Sequence, residues 1–283
     1  MRDKHSAPRL QVWISAYGED ALEKVASLSH PETEGVEYAV CWQKYDKSRI
    51  PAEIKERPDF KIVFEDSVGL SHNRNTALRN SDADLVLISD DDLEYDAGHF
   101  KNLFKGIEDY PDYDFYVFRF RSPDSPKTYH ESSFDISKAP RGYYPSSVEL
   151  LINMKRIGRA LDELMPLFNP HFGVNGGTFH SGEENLLVAK LLKRGYKGRY
   201  VPLEITVHSG SSTGQRCRHQ ASHIETKGAC FLYLHRATWP LRMLTHAWRS
   251  ARGKEGKVSF FSYCRHWCRG VRKAAKRKVF KGY

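Results

Sequence analysis

Residues Asp82 to Glu94 read DADLVLISDDDLE, and this stretch decides the fold. An apolar run, Leu85-Val86-Leu87-Ile88, ends abruptly in three consecutive carboxylates, Asp90, Asp91 and Asp92. A run of this length bounded by polar residues reads as a buried strand, most readily a central parallel one. Open α/β sheets bind ligands just beyond the carboxyl ends of such strands. Three like charges there repel one another, so a cation is their natural partner. Hard oxygen donors suit Mg²⁺ or Mn²⁺, which bridge protein carboxylates and substrate phosphates. A solvated acidic turn is the plainer alternative.

Outward from this strand the chain alternates strands and helices. Strands are expected at Leu10–Ala16, Val36–Trp42, Lys61–Glu65 and Asp114–Phe120, with helices near 21–29 and 97–109. Ser71 is placed to cap a helix running to about Asn80. Such alternation implies an α/β domain with a mostly parallel sheet and helices on both faces. Residues 122–145, rich in Ser, Pro, Tyr and Lys, read as a long substrate-side loop. Helices near 153–167 and 182–194 follow, then short strands at Gly198–Val201 and Ile205–His208. From about Gln215 the chain reads as a helical, basic appendage, which divides it into 1–214 and 215–283.

Composition sets the outer limits. The chain has 283 residues and a net charge of +9. Between Arg249 and Tyr283 twelve Lys/Arg face one acid, Glu255, so this segment alone carries +11 and the remainder is slightly acidic. A basic tail of this kind seeks an anionic partner: phospholipid, nucleic acid or an acidic acceptor. The opening residues lack the apolar core of a signal peptide, and no stretch approaches the eighteen or so apolar residues of a spanning helix. The chain is therefore expected in the cytoplasm, attached peripherally to the inner face of the membrane. Five widely spread cysteines fit reduced thiols, and Cys264, His266 and Cys268 lack the usual zinc spacing.

The order of signals then resembles a known family. Gly69-Leu70-Ser71-x-x-Arg74-Asn75 precedes the strand ending in Asp90-Asp91-Asp92. Later come Phe172-Gly173, Gly182-Glu183-Glu184, Gly195-Tyr196, Val201-Pro202 and His208. Over residues 10–210 this is similar to an inverting family 2 glycosyltransferase of the GT-A, Rossmann-like fold. The aspartate run resembles its DxD motif, and Gly182-Glu183-Glu184 its acceptor-side Gly-Glu-Asp. The resemblance implies transfer of a hexose-like sugar from a nucleotide-sugar donor, UDP-linked, to a glycan or lipid-linked acceptor in cell-surface polysaccharide synthesis. It implies a divalent metal, Mn²⁺ or Mg²⁺, on Asp92 with Asp90 and His208. It places Ala16, Tyr17, Arg74, Asp90 and Asp91 on the donor. The second strand, which ends Trp42-Gln43-Lys44, lacks the family's base-holding aspartates.

Inversion needs a general base for the acceptor hydroxyl, and Glu183 and Glu184 compete for the role. With Leu187, Val188, Leu191 and Leu192 taken as the apolar stripe, Glu184 falls within about 10° of its centre and Glu183 about 110° away. Glu184 is therefore expected inward and is the chosen base. An isolated histidine such as His208 is equally at home as a hydrogen-bonded structural residue. The run 209–214 reads as a phosphate-side loop or a linker.

Other classes explain less. A metal-dependent nucleotidyltransferase would want basic residues at the first loop, where Tyr17-Gly18-Glu19-Asp20 is acidic. Nucleic-acid binding is suggested only by the basic tail with its interleaved aromatics, which equally suit a membrane interface. A non-catalytic carbohydrate-binding relative would have no need of the intact acid run.

Overall fold

The computed structural model describes residues 8–124, 126–208, 220–253 and 258–283. The chain groups into two units, one of residues 1–68, 72–165 and 191–211, the other of 69–71, 166–190 and 212–283.

The first unit is built on a nine-stranded sheet. Strands β1 (Leu10–Tyr17), β2 (Val36–Gln43), β3 (Phe60–Glu65) and β4 (Leu85–Asp90) form its parallel half, in the order β3-β2-β1-β4. Val12, Ile14, Val40, Val86, Leu87 and Ile88 are fully buried, which explains the unbroken apolar runs of β1, β2 and β4. Helices α1 (Ala21–Ala26), α2 (Ala52–Lys55), α3 (Leu70–Asn80) and α4 (Ala97–Asp109) connect and follow these strands. Asp96 caps α4, its carboxylate accepting from the His99 backbone N–H at 2.8 Å.

The sheet is mixed, not mostly parallel. A four-residue strand, β8 (Leu150–Asn153), is wedged antiparallel between β4 and β6 (Phe115–Arg121). Two-residue strands β5 (Leu93–Glu94) and β7 (Phe134–Asp135) run antiparallel to β9 (Gly198–His208). Elements this short carry no readable periodicity, and Leu150-Leu151-Ile152 suits a helix start as well as a strand. The two short strands expected near 198–208 are one. Pro202 fits because the β6–β9 register shifts between the paired Tyr200 and Glu204. The helix expected over 153–167 is broken into α5 (Met154–Ile157), a 3-10 turn at Gly158–Ala160 and α6 (Leu161–Leu164). Part of the 122–145 loop is anchored: Phe134 stacks on Tyr200 at 4.6 Å between ring centroids, and Tyr143 packs edge-on against both.

The second unit is helical. It holds most of α7 (Glu183–Lys193) together with α8 (Ala221–Leu234), α9 (Trp239–Arg252) and α10 (Phe260–Lys276). Helices α8 and α10 cross with backbones in contact, because a Cβ on Gly270 would lie 1.9 Å from the Glu225 carbonyl oxygen and one on Gly228 2.3 Å from that of Trp267. Phe231, Met243, Tyr263 and Trp267 fill the space beside this crossing.

Candidate active site

Strand β4 delivers Asp90 to its carboxyl end, and the turn to β5 carries Asp91 and Asp92. Each carboxylate has its own cation or donor. Arg74 Nη2 donates to Asp90 Oδ1 at 2.9 Å and to Ser147 Oγ at 2.8 Å. The Arg74 side chain is 1% exposed, a placement that guanidinium tolerates only with such partners. Lys24 Nζ lies 2.6 Å from Asp91 Oδ1 and 3.9 Å from Asp92 Oδ2. His208 Nε2 lies 3.2 Å from Asp92 Oδ2.

The β5–β9 ladder makes the last contact possible, since Leu93 pairs with His208 and sets the histidine beside the preceding aspartate. Burial opposes ionisation of Asp91, Asp92 and Lys24, but the outcomes differ. At Asp92 the hydrogen bond from His208 and the charges of His208 and Lys24 outweigh burial and lower its pKa. At Asp91 burial wins over Lys24, and its pKa is raised. Lys24 itself is held above its ordinary value, its partners outweighing a burial that works against its charge.

Asp92 and His208 therefore stand together as an oxygen and an imidazole donor, while Asp90 is turned toward Arg74. Among the described residues no three His, Cys, Asp or Glu side chains converge on one point. Two protein donors suit Mn²⁺ or Mg²⁺ in a nucleotide site, because these ions keep waters and take further ligands from phosphate oxygens. The residues present fit such an ion.

Sequence reasoning missed Lys24 and Ser147. Neither carried a local signal: Lys24 meets Asp91 across 67 residues and Ser147 meets Arg74 across 73. The polar start of α3 did carry one. Asn73 and Arg74 are each 1% exposed, and Asn73 Nδ2 donates to the Cys41 carbonyl at 2.7 Å. Buried polar groups on a helix are costly and so point to a purpose beyond packing.

Of the other donor-side expectations, Ala16 is buried and Tyr17 is 44% exposed. Tyr17 lines an open depression of about 570 Å³ together with Gly18, Glu19, Lys44, Tyr45 and Arg49. The indole N–H of Trp42 donates to the Gly18 carbonyl at 2.6 Å and ties the end of β2 to this loop. The run 209–214 lies outside the described residues.

In the helical unit the expected geometry of the glutamates is reversed. Glu183 is 5% exposed, whereas Glu184 is half-buried. The buried residues of α7 are Glu183, Leu186, Leu187, Val188, Lys190 and Leu191, and Leu192 falls outside them. Lys190 is the cause. It is 3% exposed, donates Nζ to the Pro166 carbonyl at 2.9 Å and lies 4.2 Å above the Tyr283 ring. A buried lysine rotates the packed face of the helix toward Glu183. Gly182 has φ +93°, and a Cβ there would come 2.6 Å from Cys230 Sγ on α8. Glycine is thus required before the glutamate pair.

Ser71, expected as an N-cap, lies inside the first turn of α3, which begins at Leu70. Its hydroxyl donates to the Phe172 carbonyl at 2.6 Å, and the Leu70 N–H donates to the Val174 carbonyl at 3.0 Å. The Gly69-Leu70-Ser71 and Phe172-Gly173 signals are therefore a single docked contact.

Strand β4 thus ends in a carboxylate run whose members have arginine, lysine and histidine partners. Residues 44–174 match the model described as Glycosyl transferase family 2. The fold is similar to that of S. aureus TarS 1-349 in complex with UDP-GlcNAc, at 14% identity and a TM-score of 0.55, covering 94% of this chain and 83% of that one. It is also similar to the mannosyltransferase PcManGT from Pyrobaculum calidifontis in complex with GDP-Man and Mn²⁺, at 15% identity and a TM-score of 0.51, covering 98% and 88%. No curated protein matches the sequence.

Proposed function

We propose that this chain moves a sugar, with inversion, from a nucleotide-sugar donor to a hydroxyl of a glycan or lipid-linked acceptor during cell-surface polysaccharide synthesis. The observation that carries the reading is the β4 terminus, where Asp90, Asp91 and Asp92 are each matched to a separate cationic or imidazole partner. Asp92 and His208 would hold Mn²⁺ or Mg²⁺, with Asp90 contributing through the water shell. Such an ion, when bound, acts as a Lewis acid that stabilises charge on the departing diphosphate. Arg74 and Asp91 bind and orient the donor, and Ala16, through its backbone, and Tyr17 flank it. A UDP-linked donor is supported by the likeness to TarS, whose structure holds UDP-GlcNAc. PcManGT holds GDP-Man, and the carboxyl end of β2, Trp42-Gln43-Lys44, offers no carboxylate that would select either base.

Glu184 takes the acceptor proton as the hydroxyl oxygen attacks the anomeric carbon and the bond to the diphosphate breaks. Its half-exposed position supports this role better than the burial of Glu183, since a base must reach its acceptor. Residues 1–214 carry this chemistry. Residues 215–283 attach the protein peripherally to an anionic membrane surface. Among the described residues no helix is long and apolar enough to cross a membrane.

Calorimetric titration with UDP-, GDP- and dTDP-sugars, each with Mn²⁺ and with chelator, tests the reading. One donor should bind in a divalent-dependent manner. Tight binding of free nucleoside triphosphates in preference to every nucleotide sugar would instead favour a nucleotidyltransferase.

A further inference from the structure

Helix α9 has two apolar faces, and only one of them is packed. Trp239, Met243, His246 and Ala247 face the helical unit, where His246 stacks on Trp267 at 5.7 Å and Ala247 is fully buried. Leu241, Leu244 and Trp248 recur at the same helical spacing on the opposite side and are 67%, 45% and 51% exposed. Arg242, Arg249 and Arg252 are exposed beside them, and the Arg252 guanidinium lies 4.2 Å above the Trp248 ring. Helix α9 contains no acidic residue, nor does α10. On α10 the exposed face begins with Phe261, 83% exposed, and continues through Arg265, Arg269, Arg272 and Lys276.

We infer that the Leu241–Leu244–Trp248 face of α9 is the surface that seats on an anionic phospholipid bilayer. The inference rests on the membrane reading above and narrows it from a basic segment to one helix face. Two leucines and a tryptophan rimmed by arginines have the composition of an interfacial helix. The apolar side chains enter the headgroup boundary and the guanidinium groups meet lipid phosphates. A second copy of this chain fits less well, because a two-fold contact would press arginine rows against themselves with no acid to neutralise them. A nucleic acid would leave both leucines without a partner.

The test uses the full chain and vesicles of phosphatidylcholine with and without phosphatidylglycerol, at low and high salt. The protein should sediment with the anionic vesicles only, and bromine-labelled acyl chains should quench its tryptophan emission. Trp13, Trp42 and Trp267 are fully buried and Trp239 is half-buried on the packed face of α9, so most of the quenching should be lost in Trp248→Phe. Replacing Leu241, Leu244 and Trp248 together by Ser should lower partitioning roughly tenfold or more, from the apolar area withdrawn. Its thermal transition should be unchanged, since these side chains are exposed. If wild type binds and the triple variant binds equally, the α9 inference is overturned and the basic segment alone attaches the protein. If wild type ignores anionic vesicles, both the inference and the membrane reading fall. A dimer, or an oligonucleotide complex, that the triple variant abolishes in place of vesicle binding would overturn the bilayer as occupant.

Discussion

The three aspartates that end β4 and the two glutamates that begin α7 are both short acidic runs at element termini, yet the chain treats them differently. At β4 each carboxylate is answered by a separate group: Arg74, Lys24 and His208. At α7 one glutamate is buried and its neighbour is half-exposed, and a lysine two turns along the helix decides which. A strand end is fixed by the sheet, so its side chains follow from register. A helix face is fixed by whatever packs on it, and one buried Lys190 turned it.

The largest effect should come from the strand end. Asp92→Asn should abolish the divalent-dependent part of donor binding while leaving the fold intact, as measured by calorimetry with and without chelator. Unchanged metal dependence would move the ion elsewhere and erase the contrast.

Next, Glu184→Gln should lower turnover by roughly a hundredfold or more with donor affinity kept, as loss of a general base requires. Glu183→Gln should be milder in turnover but should lower the melting temperature, because Glu183 is the buried member. The opposite ranking in turnover would assign the base to the buried position.

The third prediction sharpens the difference in packing. Gly270→Ala forces a methyl group into the Glu225 carbonyl, and both partners are backbone. It should destabilise the helical unit by about 3 kcal/mol, read as an earlier loss of helical ellipticity in urea. Donor binding should survive at low denaturant.

The smallest effect concerns acid. The His30 ring is packed among Tyr38, Phe60 and Tyr95, and burial pushes its pKa down from 6.5 to about 4. His246 in the helical unit is likewise pushed down to about 4 by burial. A depressed histidine is neutral in the fold while the unfolded chain takes the proton, so stability is level above pH 6.5 and falls from there toward pH 4. The His30 contribution should reach about 2 kcal/mol at the bottom of that window. His30→Phe should flatten the acid limb of the sheet unit; an equally steep limb would mean that other groups set it.

Much of this was legible in the sequence. The apolar run into Asp90-Asp91-Asp92, Arg74 and the late His208 all occupy the same sheet unit, and His208 Nε2 lies 3.2 Å from Asp92 Oδ2. Lys24 and Ser147 were not legible because their roles exist only through contacts that no local pattern encodes. The strands β5, β7 and β8 were missed for their length. The stripe of α7 was misread because apolar residues were taken to define it, whereas a lysine whose ammonium finds a carbonyl can bury its stem as well as a leucine does.

The two-residue strand β5 also has a consequence in time. Its Glu94 carbonyl accepts from Thr206 Oγ1, 112 residues further along the chain. At ribosomal speeds of about 5–20 residues per second, His208 emerges many seconds after the aspartates it must meet. Closing so long a loop is also an entropic cost that the sheet must cover before the site exists. A nascent or truncated chain therefore carries three aspartates and their arginine without the imidazole that completes the set. On the proposed function, capture of the donor waits on this late contact.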